Sequence, residues 1–210
     1  MPGINYSIYR EKFIISITGM SCSGKTTLSN LIYSKYPSFT SIVHQDSYYN
    51  DLNDLNLSDR KKINFDHPSS IDFKLLYSDV KKLLSNKSIK IPKYNFYEHR
   101  REKTFIKLKS KPIIILEGTL INSFYFINRL VNYKIFFDVD QKICLNRRIH
   151  RDKFKRGRKF SSIVFQFQKD VIPMYNKYTL PQKDKSDIIC LLYTSPSPRD
   201  RQKSGMPGCA

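Results

Sequence analysis

The sequence predicts an α/β fold: a parallel sheet of about five strands with helices on both faces. Three observations predict it. Strand-like runs alternate with helical patterns over most of the chain. The strand-like runs are continuous and β-branched, as expected for strands buried on both faces. A glycine-bracketed loop joins the first such run to the first helical pattern.

The elements follow in order. Phe13 to Ile17 is the first buried strand, and Lys25 to Lys35 the first helix, stopped by Pro37. Ser41 to His44 is a weaker strand. From Phe73 the apolar residues Phe73, Leu76, Tyr77, Val80, Leu83 and Leu84 recur on one helical face. Lys93 to Lys109 alternates loosely and reads as a β-hairpin. Ile113 to Leu116 and Ile135 to Phe137 are two further buried strands. Phe160, Ile163, Val164, Phe167 and Val171 mark another helix face, and Ile188 to Cys190 a last strand.

A chain of 210 residues with 40% apolar content is large enough for one domain with a substantial core. The formal net charge is +19, which points to polyanionic partners without choosing among nucleotide, RNA and anionic membrane. Cys22, Cys144, Cys190 and Cys209 lie far apart and form no CxxC, so free thiols in a reducing, cytoplasmic setting are expected. With the four histidines they give no zinc spacing. No apolar run reaches the ~18 residues that span a bilayer, and the first residues lack the pattern of a signal peptide.

Residues 191–210, LLYTSPSPRDRQKSGMPGCA, break the rhythm. They are rich in Pro, Ser and Arg, have no period, and resemble vector-derived read-through more than native sequence. The expectation is a single domain over residues 1–190, truncated at its C-terminal end, followed by a disordered tail. The tail carries three Lys/Arg and one Asp, so residues 1–190 keep a net charge of +17.

Directly after the first strand stands Gly19-Met20-Ser21-Cys22-Ser23-Gly24-Lys25-Thr26. This is G-x-x-x-x-G-K-[ST] between a strand and a helix, the phosphate-binding loop of P-loop NTPase-type folds. A chance match is expected roughly 0.004 times in a chain of this composition. Its backbone N–H groups form an anion nest at a helix N-terminus. Lys25 reaches the β- and γ-phosphates, and the Thr26 hydroxyl ligates Mg²⁺. Gly19, Ser21, Cys22, Ser23, Gly24, Lys25, Thr26 and Thr27 are the expected ATP-binding residues. The motif alone leaves kinase, ATPase and helicase open; the absence of an NKxD-type stretch weighs against a GTPase.

Two carboxylates fall on the same sheet edge as this loop. Asp46 follows the second strand, where it could take a proton from an attacking hydroxyl or simply cap a turn. Glu117 ends the strand Ile113 to Leu116, where it could hold Mg²⁺. Asn64 to Pro68 and Pro92 to Arg100 read as a turn and an aromatic-rich hairpin. Arg147 to Lys159, RRIHRDKFKRGRK, holds eight Lys/Arg in thirteen residues. It is a solvated helix face, a nucleic-acid patch, or an arginine-rich lid over a triphosphate hinged at Gly157.

Taken in order, GMSCSGKT, QDSYY, NFDHPSSIDF, IPKYNFYEHRR, IILEGTL, FDVD, RRIHRDKFKRGR and FQFQKDVIPMYNKY with SDII resemble the uridine kinase (uridine–cytidine kinase) family over roughly residues 12–190. Phosphoribulokinases and nicotinamide riboside kinases share the phosphate loop but fit the arginine motif and NFDHP less well. The resemblance implies a five-stranded parallel sheet, a β-hairpin over the nucleoside site and often a tetramer. It implies transfer of the γ-phosphoryl group of ATP, with GTP as an alternative donor, to the 5′-hydroxyl of uridine or cytidine with Mg²⁺.

By the same resemblance Asp46 is the general base and approaches the metal, with Thr26 and Glu117 beside it. Lys25, Arg151, Arg156 and Arg158 serve the transferring phosphoryl group. Asp66, Arg148 and Gln166 lie on the ribose side, and Tyr49, Tyr94, Phe96 and His99 form the base pocket. Asn95 stands where the family usually has Asp, and Thr119 where it usually has Ile. The family chain continues past SDII with a loop near the adenine and a closing helix, a region missing or replaced here. The other readings are a related P-loop kinase of another small alcohol, and a basic P-loop protein that binds RNA without catalysis. The uridine kinase reading expects a small-molecule nucleoside partner, no membrane and no nucleic acid.

Overall fold

The computed structural model describes residues 12–191. Five parallel strands form one sheet: β1 (Phe13–Gly19), β2 (Thr40–His44), β5 (Ile113–Glu117), β6 (Tyr133–Asp138) and β7 (Ile188–Leu191), in the order β2-β5-β1-β6-β7. A separate antiparallel pair, β3 (Ile89–Asn95) and β4 (Arg100–Leu108), is the hairpin. It starts four residues earlier than the sequence pattern places it, because Ile89 and Ile91 are buried.

The helices are α1 (Lys25–Lys35), the short α2 (Leu57–Arg60), α3 (Phe73–Leu84), the short α4 (Tyr125–Asn128), α5 (Gln141–Arg156) and α6 (Phe160–Gln166). Beyond α6 the chain continues through a π-helical stretch at Phe167–Val171, a single turn α7 (Ile172–Met174) and a second π-helical stretch at Tyr175–Thr179. The Asp72 carboxylate accepts from Leu75 N–H (2.9 Å) and starts α3; Asp140 accepts from Lys142 N–H (2.7 Å) and starts α5.

Strand alternation sends side chains to the two faces. Ile14, Ile114, Leu116 and Val43 face one core, shared with Leu76, Val80 and Leu83 of α3. Ile17, Ile115 and Phe137 face the other, whose cluster also holds Phe136, Cys144 of α5, Phe167 and Val171. Phe160, expected on that second face, is 61% exposed; Ile163 opens the buried stripe instead.

Helix α5 has an unusual inner face. Its buried residues are Cys144, Arg148 and Asp152, four apart, so one helical stripe carries a charge pair where apolar residues normally stand. Leu191, assigned to the tail by its sequence, ends β7 opposite Asp138. The rest of that segment, 192–210, lies outside the described residues. Among the described residues no helix is long and apolar enough to cross a membrane.

Candidate functional site

The loop between β1 and α1 turns on three residues with positive φ. Gly19 (φ +137°) requires glycine twice over, since a Cβ there would lie 2.6 Å from the Phe137 carbonyl oxygen. Cys22 (φ +66°) and Gly24 (φ +114°) follow, and Gly24 is the N-cap of α1. Turns of this kind aim successive N–H groups to one side. Lys25 is almost wholly buried and donates from Nζ to the Met20 carbonyl at 2.8 Å, closing the loop on itself. Arg147 of α5 donates to the Ser23 carbonyl at 3.3 Å and ties that helix to the loop. Thr26 reaches the central cavity, whereas Thr27 is exposed outside its lining.

The carboxylates come from adjacent strands. In the β2–β5 register His44 stands opposite Glu117, and His44 Nδ1 donates to Glu117 Oε2 at 2.8 Å. Burial alone would raise the Glu117 pKa. The bond from His44, the charge of Lys25 and the Thr26 hydroxyl outweigh it and hold the carboxyl below the usual glutamate range. Asp46 sits on the 3₁₀ turn Gln45–Tyr48 after β2 and opens on the same cavity. The enclosing walls and the Glu117 charge push it above the usual aspartate range, against the pull of Lys25, Arg156 and Arg151. Burial likewise raises Asp66, which Arg148 partly offsets.

Across the cavity stand the aromatics. Tyr49 packs on Tyr94 (centroids 5.0 Å) and edge-on to Phe65 (5.4 Å); Phe65 stacks on His99 at 4.9 Å and 16°. Tyr94 and Phe96 meet edge to face at 5.3 Å, although Phe96 lies in the turn beyond β3. The Tyr94 hydroxyl is buried and has no hydrogen-bond partner among the described residues. His99 is held below the usual imidazole range, first by burial and then by Arg158 and Lys61. Arg101 donates from Nε to the Tyr49 carbonyl at 2.7 Å and seats the hairpin over this wall.

The basic stretch is helical up to Arg156. Gly157 (φ +58°) is the left-handed residue that ends α5, its N–H returned to the Asp152 carbonyl, with nothing within 4 Å of its Cβ position. Arg148, Arg151, Arg156 and Arg158 surround the Asp152 carboxylate, which has no exposed side-chain surface, at 3.7, 2.8, 3.6 and 3.4 Å. Gln166 Oε1 accepts from both Arg158 (2.7 Å) and Arg148 (3.1 Å), and Arg148 also donates to Ser21 Oγ at 3.2 Å.

One cavity joins all of this. Ser21, Cys22, Lys25, Thr26, Asp46, Tyr49, Asp66, Tyr94, Phe96, His99, Glu117, Arg148, Arg151, Arg156, Arg158 and Gln166 line it. Gly19 and Ser23 are buried beneath the loop. Sequence reasoning misses four contributors. Phe65 was one step away in the motif NFDHP, and Asp152 was legible from its i±4 spacing to Arg148 and Arg156. His44 and Arg147 carry no local signal, since their partners lie 73 and 124 residues away.

The arrangement combines an anion cradle, a cluster of guanidinium groups, one raised and one depressed carboxyl, and an aromatic slot. Together these suit transfer of a phosphoryl group to an alcohol borne by a flat ring compound. The family model described as Phosphoribulokinase / Uridine kinase family matches residues 14–194. Over 181 residues the chain is 39% identical to a uridine kinase of Serratia proteamaculans, covering 84% of this chain and 85% of that protein. It is 41% identical over 177 residues to a uridine kinase of Ligilactobacillus salivarius, covering 84% and 83%. The solved phosphoribulokinase from Rhodobacter spheroides superposes with a TM-score of 0.63 at 17% identity, covering 89% of this chain and 73% of that one, a likeness of fold alone.

Proposed function

Because this chain belongs to the phosphoribulokinase / uridine kinase family and is a phosphotransferase of that family, we propose that it transfers the γ-phosphoryl group of ATP to the 5′-hydroxyl of uridine and cytidine. The products are UMP and CMP, in the manner of pyrimidine salvage. The observation that carries this reading is the common cavity, which the phosphate loop, Asp46 and Tyr94 all line.

The triphosphate lies on the loop Gly19 to Gly24, with Lys25 against its terminal phosphates. Arg151, Arg156 and Arg158 meet charge that develops on the transferring group. The raised carboxyl of Asp46 is suited to accept the proton of the attacking hydroxyl, while the depressed carboxyl of Glu117 remains an anion throughout. Asp66, Arg148 and Gln166 hold the ribose. Tyr49, Tyr94, Phe96 and His99, with Phe65 added, enclose the base.

Thr26, Asp46 and Glu117 offer hard oxygen donors of the kind Mg²⁺ takes. No group of three or more metal-ligating His, Cys, Asp or Glu side chains occurs among the described residues. A metal held by one or two carboxylates and the substrate phosphates needs no such group. Bound there, Mg²⁺ would offset charge on the phosphates.

The test is coupled detection of ADP release over a panel of nucleosides. Uridine and cytidine should turn over, and adenosine and guanosine poorly. An absence of turnover with either pyrimidine nucleoside would overturn the reading.

A further inference from the structure

The phosphate side and the base side of the cavity are joined by two adjacent contacts. The Arg156 guanidinium carbon stands 4.2 Å from the centroid of the Phe96 ring, well inside the ~6 Å reach of a cation–π interaction. The next residue, Tyr97, donates its hydroxyl to the Lys155 carbonyl at 2.6 Å. Two consecutive residues of the hairpin turn therefore grip two consecutive residues in the last turn of α5. The Lys155 carbonyl belongs to the set that a helix C-terminus leaves without an internal partner, so Tyr97 satisfies a group that needs one.

We propose that Phe96 is a positioning residue that acts through Arg156, so that the hairpin over the acceptor sets an arginine aimed at the donor. The proposal rests on the kinase reading above and changes the part Phe96 plays in it. Arg156 is held on two sides, with its face on Phe96 and an edge 3.6 Å from Asp152. Phe96 in turn packs against Tyr94, which carries the unpartnered hydroxyl of the base wall. The ring face of Phe96 covered by the guanidinium is not free to stack a base. The hairpin turn thereby sets where Arg156 stands.

The experiment is a double-mutant cycle on the full chain. Phe96→Leu keeps apolar volume in the half-buried turn and removes the π face; Phe96→Tyr restores it. Phe96→Leu should lower kcat by about 10-fold, the order of one cation–π contact, with the nucleoside KM changed less than twofold, and Phe96→Tyr should recover kcat. In an Arg156→Ala background Phe96→Leu should have no further effect. A base-stacking role predicts instead a raised nucleoside KM that persists in the Arg156→Ala background, and that outcome overturns the proposal. A second arm needs no acceptor. The chain has no tryptophan, so Phe96→Trp introduces a single tryptophan, excited selectively over the 14 tyrosines, whose emission should shift when Arg156→Ala is added. Unchanged emission shows that the guanidinium does not cover the ring and also overturns the proposal. Failure of nucleoside turnover in the wild type, with the emission shift intact, sinks the choice of acceptor alone.

Discussion

The Arg151 guanidinium donates from Nε to Asp152 Oδ1 at 2.8 Å, and that carboxylate has no exposed side-chain surface. Three more arginines approach the same group, so four positive charges meet one negative and leave a local excess of +3. Burial alone would push the Asp152 carboxyl up; Arg151, Arg156 and Arg148 pull it below the usual range and keep it ionised. One buried anion gathers the guanidinium groups that a triphosphate would otherwise have to assemble. Preassembly of this kind is what makes charge stabilisation effective in transfer.

The Asp152→Asn variant keeps the shape and removes the charge. Breaking a buried pair from one side costs about 3–5 kcal/mol, which for a domain of this size lowers Tm by roughly 6–20 °C. Alongside this, kcat should fall more than KM for ATP rises. Calorimetry and steady-state kinetics check the two parts; a variant with wild-type Tm would show that the arginines repel little without their anion.

Asp46→Asn should leave ATP binding nearly intact and lower kcat by about 10²–10⁴, the usual span for a positioned general base. The pH profile gives the sign. A base works deprotonated, so activity falls as pH falls through its pKa, and burial raises the Asp46 pKa above the usual aspartate range. The acid limb of kcat/KM should therefore sit above the ordinary aspartate range. Glu117, depressed by His44, should not contribute to it. Near-full kcat in the variant would remove Asp46 from the mechanism.

Arg158→Ala should depress kcat more than it raises KM for ATP, because the charge it meets develops during transfer. Its Nη1 is held at 2.7 Å by Gln166, so the side chain is placed before the donor arrives. The RNA-binding alternative makes the opposite demand: an affinity for RNA that falls steeply with salt and disappears with the arginines. Tight RNA binding without nucleoside phosphorylation would favour that alternative.

What the sequence discloses follows the range of each signal. The bounds of α1 coincide with expectation because the phosphate loop dictates its start and Pro37 limits its end. The inner strands β1, β5 and β6 were legible as apolar runs because burial demands them, whereas β7 at the sheet edge is mostly exposed and was read only from its short run Ile188 to Cys190. The end of α5 was less legible. Its inner stripe of Cys144, Arg148 and Asp152 has no apolar period, so the sequence leaves the stretch open between a solvated helix face, a nucleic-acid patch and a hinged lid, and the structure shows helix up to Arg156. His44 beside Glu117 follows from strands that pair only after the chain has crossed over, and no local pattern encodes that neighbourhood.

The base wall yields the last prediction. The Tyr94 hydroxyl is buried with no partner among the described residues, which in the free enzyme is a cost without a return. A polar group kept at that cost is explained if a ligand supplies the partner. Tyr94→Phe removes the hydroxyl and keeps the ring that packs on Tyr49 and Phe96. The free protein should therefore be as stable as the wild type or gain up to about 1 kcal/mol. The same change should lower kcat/KM for uridine and cytidine by roughly 5- to 150-fold, the equivalent of ~1–3 kcal/mol for one specific hydrogen bond. KM for ATP should not move, because the phosphate loop lies on the other side of the cavity. Thermal melts and kinetics on one pair of proteins decide it. Lower stability with unchanged kcat/KM would mean that Tyr94 serves the fold and that base recognition lies elsewhere in the slot.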